Sequence, residues 1–150
     1  MSVSDARERL AAEQAGLVQA LVAGAAVPQG FDEEQVRLAA RSLINKRLRE
    51  VALTWPALAR CLGKTFQSRF TTFAESNPPP VDGGPLADGR TFAATVSVSD
   101  LDDEARLGLM QVDLRHRRLP VRARWLPGAR RVVIGVRLPR LGVRVMPVRV

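Results

Sequence analysis

Near residue 111 the hydrophobic pattern changes its period, and no other feature constrains the fold as strongly. Upstream, apolar residues recur at helical spacing. Leu10, Leu17 and Leu21 form one stripe with Val18 and Val22, and Leu43, Ile44, Leu48 and Val51 form another. Downstream, Val121-Arg122-Ala123-Arg124-Trp125 alternates in twos. So do Val132, Ile134, Val136 and Leu138, and Val143-Arg144-Val145 begins a third run. The expected fold class is α+β: an N-terminal multi-helix domain at 1–110, then a small antiparallel β-meander at 111–150, packed on it or appended to it. A chain of 150 residues is long enough to bury a real core.

Local signals divide the helical part. Ser4 or Asp5 can cap a first helix that runs to about Ala23, and Val27-Pro28-Gln29-Gly30 breaks it. Asp32 is a strong N-cap, with Gln35 placed as in a capping box and Phe31 and Val36 as a hydrophobic staple. Trp55-Pro56 ends that helix, and Pro56 can open a new one at its first position. Gly63 is a natural stop. Phe66, Phe70 and Phe73 share one helical face and read as core. Residues 77–85 form a loop by composition. Asp88 is placed to cap a helix holding Phe92 and Val96, and Ser99 and Asp102 to cap one that includes Leu107 and Met110. Turns are expected at 127–130 and 139–142, with room for an extra strand near 112–115. Pro147 marks the final strand as an edge or as bulged.

Charge is unevenly distributed. The net charge is +8, yet residues 1–75 hold 10 basic and 8 acidic side chains, whereas residues 76–150 hold 13 and 7. From Leu114 to Val150 there are 11 arginines and no acid. Such a patch suits an anionic partner: nucleic acid, an acidic peptide or an acidic protein face.

Catalytic chemistry is sparse. His116 is the only histidine and lies among arginines, and Cys61 is the only cysteine, so the usual soft ligands of a transition-metal site are missing. Cys61 reads as a buried structural thiol in a reducing compartment. Asp100, Asp102, Asp103 and Glu104 cluster where a helix begins, where carboxylates favour the positive end of the dipole. No nucleophile triad or phosphate loop stands out. The expectation is a protein that is not an enzyme, with no cofactor and no metal. The apolar part of 14–31 is too broken to span a bilayer, and Asp5, Glu8 and Glu13 replace the basic start of a signal peptide. A cytoplasmic protein without a membrane partner is expected.

The arginine-rich tail is the candidate site. If the Val/Ile side of the meander packs on the helices, then Arg122, Arg124, Arg131, Arg137, Arg144 and Arg149 are available to bind a peptide or partner on the other side. An open edge strand would offer backbone groups to an extended peptide, and the guanidinium groups would select acidic side chains.

The string Leu43-Ile44-Asn45-Lys46-Arg47, then Trp55-Pro56, Leu62-Gly63, Phe66, Phe73, Pro78-Pro79, Leu86, Gly89 and Phe92 has a recurring layout. It resembles the family described as a DNA-binding domain of neisserial regulator-like proteins, and an uncharacterised actinobacterial branch of it. Relatives of that family include partner subunits of multinuclear non-haem iron oxidases in ribosomal peptide biosynthesis. The resemblance implies helices with a C-terminal β region, and a non-catalytic accessory subunit that recognises a peptide while the iron oxidase supplies the metal. The alternative it implies is a nucleic-acid-binding protein that uses the arginine-rich region.

Overall fold

The computed structural model describes residues 3–116, 121–138 and 142–148. The fold is α+β, with helices followed by a three-stranded antiparallel sheet. In chain order the elements are α1 (Val3–Ala23), α2 (Glu33–Thr54), α3 (Pro56–Leu62), α4 (Phe66–Ser76), α5 (Gly84–Thr95), α6 (Asp103–His116), β1 (Val121–Leu126), β2 (Arg131–Leu138) and β3 (Gly142–Val148). Short 3-10 turns precede α4 and α6. The chain forms two compact units: residues 1–51 with 65–88, and residues 52–64 with 89–150.

Most local signals act as the sequence implies. The Gln35 amide donates to Asp32 Oδ1 at 3.0 Å, so Asp32 caps α2. Pro56 opens α3, and Gly63 closes it with φ 50, a conformation that suits glycine. The Ala105 amide donates to Asp102 Oδ1 at 2.7 Å, which makes Asp102 the cap of α6.

Three expectations need correction. Helix α5 starts at Gly84, so Asp88 lies inside it and is buried rather than capping. The paired positive φ values of Gly83 (85°) and Gly84 (51°) turn the chain into this helix before Asp88 is reached. Residues 112–115 are not a strand, because α6 runs on to His116. Cys61 is only half-buried: its thiol donates to Asp100 O at 3.0 Å and accepts the Asp102 amide at 3.1 Å.

In the first unit, α4 buries Phe66, Phe70 and Phe73, with successive ring centroids 6.0 and 5.8 Å apart. Arg47 binds beside them. Its Nε and Nη2 donate to Asp88 Oδ2 and Oδ1 at 3.0 and 2.9 Å, a two-pronged pair. Its remaining donors reach the carbonyls of Ala74 and Asn77 at the end of α4, and its guanidinium lies 5.9 Å from the Phe70 ring centroid. A cation there meets the negative end of the α4 dipole.

In the second unit the sheet order is β1-β2-β3, with Arg122 opposite Gly135 and Gly135 opposite Val145. Helix α6 packs on it through Met110 and Leu114, which share a core with Leu126 and Val133. Burying side chains of this size contributes roughly 1.5–3 kcal/mol each. Asp103 fastens the first turn: the Gly128 and Ala129 amides donate to its two carboxylate oxygens at 3.2 and 2.7 Å. At Gly135 an added Cβ would overlap Leu114 Cδ1 and lie 3.2 Å from Met110 Cε, so helix and strand meet where no side chain intervenes.

Two stability outcomes follow. Gly135→Val overfills this contact and lowers unfolding stability by about 1–3 kcal/mol in urea titrations, despite valine's preference for strands. Asp88→Ala leaves the Arg47 guanidinium, whose side chain is 11% exposed, without its carboxylate, and costs about 3 kcal/mol in the same measurement.

Candidate functional site

Side chains alternate across a strand, so the contact at Gly135 decides which residues face α6. The register puts Arg122, Arg124 and Leu126 of β1 on the α6 side, with Val133 of β2 and Val143 and Val145 of β3. The opposite side carries Val121, Ala123 and Trp125, then Val132, Ile134 and Val136, then Arg144, Met146 and Val148. This reverses the orientation expected from the sequence. The uniformly apolar side of the first two strands points away from the helix, with Val121 53% and Trp125 49% exposed. The physical reason is shape and charge together: only Gly135 admits Met110 and Leu114, and α6 supplies a carboxylate for the arginines.

That carboxylate is Asp113, which is buried. Arg90 Nε donates to its Oδ1 at 2.7 Å, and Arg122 Nη1 lies 3.4 Å from its Oδ2. Arg124 follows two residues along the same face. Burial pushes its guanidinium below the ordinary arginine value; Asp113 opposes that shift, while Arg122 and Arg106 add to it. Arg106, also buried, spends its donors on the carbonyls of Leu101 (2.7 Å) and Val98.

The other predicted site residues are placed differently. Arg131 and Arg137 are exposed near the ends of β2, with the parity of the α6 side. Arg144 is exposed on the apolar side of β3. Arg149 lies outside the described residues. The structure therefore brings Arg122 and Arg124 together and separates them from Arg144. Asp113, Arg90 and Gly135 were not singled out in the sequence. The signal was present for Asp113, the last acid before the arginine-rich tail and in helical register with Arg106 and Met110.

Among the described residues β3 hydrogen-bonds only to β2, and β1 only to β2, so each flank of the sheet is an edge. In the first unit a cavity of about 560 Å³ opens among Ala20, Val27, Val36 and Ile44, with Arg37 and Arg41 in its wall. Its volume is in the range of small-ligand sites. Among the described residues no three His, Cys, Asp or Glu side chains are grouped to hold a metal ion. No helix there is long and apolar enough to cross a membrane.

The inverted orientation has a measurable consequence. Asp113→Ala strands Arg90 and Arg122 without their carboxylate and costs about 3 kcal/mol of unfolding stability. Trp125→Ser costs less than about 1 kcal/mol. A sheet turned the other way would reverse that order in chemical denaturation.

Residues 11–98 match the family described as SCO6045-like, C-terminal domain. Over 100 residues, 67% of this chain, the sequence is 38% identical to a UPF0276 protein of Streptomyces avermitilis. The chain spans only 20% of that protein's length. Neither description mentions DNA, peptides or iron. No solved structure matches the chain. The matched residues cover more than half of the chain, from within α1 to the turn after α5, and on that ground it belongs to the SCO6045-like C-terminal domain family.

Proposed function

We propose that the chain is a non-catalytic accessory subunit that recognises a peptide through its β module and partners an iron-dependent peptide-modifying oxidase in ribosomal peptide biosynthesis. The observation that carries this reading is the open edge of β3, which lies beside an exposed apolar sheet face. An extended peptide can add a fourth strand there: its backbone would complete the ladder, and its side chains would alternate between the exposed face and the α6 side, where Val143 and Val145 line β3. The match to one fifth of a longer protein supports a module that works with a larger partner. Residues 43–92 resemble a family whose relatives include oxidase partner subunits, and that resemblance is the ground for naming an iron oxidase as the partner.

Nucleic-acid binding fits the net charge of +8, but Arg122 and Arg124 turn toward Asp113 instead of forming a continuous cationic surface. The two readings separate by salt. Backbone pairing with a peptide is sequence-selective and changes little between 50 and 200 mM salt, conditions over which phosphate binding falls by orders of magnitude.

The test is co-expression of the chain with a candidate iron oxidase encoded beside it and with the neighbouring short precursor peptide. The three are expected to co-purify, and Val145→Pro in β3 to release the peptide while circular dichroism stays unchanged. Failure of the unaltered chain to associate with either component would overturn the proposal.

A further inference from the structure

The charges on the α6 side of the sheet do not balance. Arg90 and Arg122 pair with one carboxylate, Asp113, and Arg124 feels the charges of Asp113, Arg122 and Arg106. Arg106 is occupied by two backbone carbonyls. Arg90 holds one oxygen of Asp113 and Arg122 approaches the other. Both oxygens are thus engaged before Arg124 is reached. Arg124 stands two residues beyond Arg122 on the same face, roughly 7 Å along the strand. It is half-buried, and two of the three charges that act on it repel it. Among the described residues Asp113 is the carboxylate that acts on Arg124, and it is shared with Arg90 and Arg122; a second anion would relieve the cost of drawing this cation partly out of water.

The groups remain within reach of a ligand. The side chains of Arg90 and Arg122 are 29% and 30% exposed. A guanidinium presents planar, forked donors that match a carboxylate in two-pronged fashion. Arg122 uses one terminal nitrogen toward Asp113 at 3.4 Å, a long contact that a better-placed anion can compete with.

We infer that Arg122 and Arg124, beside Asp113, form a receptor for a carboxylate supplied by a ligand. Its use as the specificity element for an acidic residue of a bound peptide rests on the proposed peptide-recognition function; the carboxylate site itself does not. Asp113 holds Arg122 in place and tempers the charge, so that binding is reversible. The site deepens the peptide reading by placing selection of the acidic side chain on β1, about 14 Å (three strand spacings) from a strand added at the open edge of β3, so the residue it selects lies in the part of the peptide that continues beyond the paired segment.

The test uses the full ¹⁵N-labelled chain and the arginine Nε–Hε resonances. Sodium acetate replaces sodium chloride at constant ionic strength. Blocked Ala-Ala-Glu-Ala-Ala and its Gln counterpart are then titrated separately, followed by inorganic phosphate. The expected result is saturable shifts of the Arg122 and Arg124 signals, with the Glu peptide binding at least tenfold more tightly than the Gln peptide. Arg124→Gln is expected to lose at least tenfold in affinity, Arg124→Lys to recover part of it, and Arg7→Gln, in α1, to change nothing. Shifts that rise linearly with acetate, equal binding of the Glu and Gln peptides, or tighter binding of phosphate than of either carboxylate would overturn the inference. If Arg124→Gln fails to fold, the comparison of the two peptides on the unaltered chain decides alone. No oxidase is present, so a failure to co-purify with one and a failure of this site give different results.

Discussion

The contact between α6 and Gly135 sets the organisation of the β module. Met110 and Leu114 can approach the middle strand only where a side chain is missing, and on β2 that position is Gly135. Once the helix lies there, strand alternation leaves no choice. Arg122 and Arg124 turn inward, and Trp125 and the Val132–Ile134–Val136 row turn outward. Asp103 locks the same arrangement at the far end by gripping the amides of the first turn. Steric fit at one glycine therefore decides which face is cationic and which is apolar.

Charge then follows from burial. In each compact unit an aspartate on a helix holds guanidinium groups that are partly shielded from water. Asp88 takes both prongs of Arg47, and the other Arg47 donors finish the carbonyls at the end of α4. Asp113 is shared by Arg90 and Arg122. The difference between them is the balance. Arg47 and Asp88 are matched one to one, whereas Asp113 faces more cations than it can neutralise. The first arrangement closes a core; the second leaves capacity for another anion. The acidic run at 100–104 is likewise structural: Asp102 caps α6, Asp103 holds the turn, and Glu104 pairs with Arg60 at 2.5 Å.

Much of the helical part was legible because its signals are local. A cap such as Asp32, a proline at the first position of α3 and a glycine stop at Gly63 act over three or four residues, so sequence spacing suffices to place them. Helix α5 was harder to read. It starts from Gly84-Pro85 and contains Gly89, a composition that reads as loop, and only packing makes it helical. Asp88 was misread for the same reason: its partner Arg47 lies 41 residues away in sequence. The candidate site was legible in composition, since the arginines stand out, but not in orientation. Alternation tells which residues share a face and is silent on which face is covered.

By itself the sequence determined the α+β class, the change to a two-residue period after α6, the strands of the meander and its first turn, and the separation of arginines from valines within β1; the second expected turn, at 139–142, falls largely outside the described residues. Those properties come from neighbours along the chain, where backbone geometry and side-chain type act directly. Tertiary structure alone decided that the arginine side of β1 faces α6, that Asp113 becomes its counter-ion and that the apolar side is left exposed. Hydrophobicity argued for the opposite orientation. It was outweighed because a close helix–strand approach at Gly135 and a buried carboxylate for the guanidinium groups are both available on one side of the sheet only.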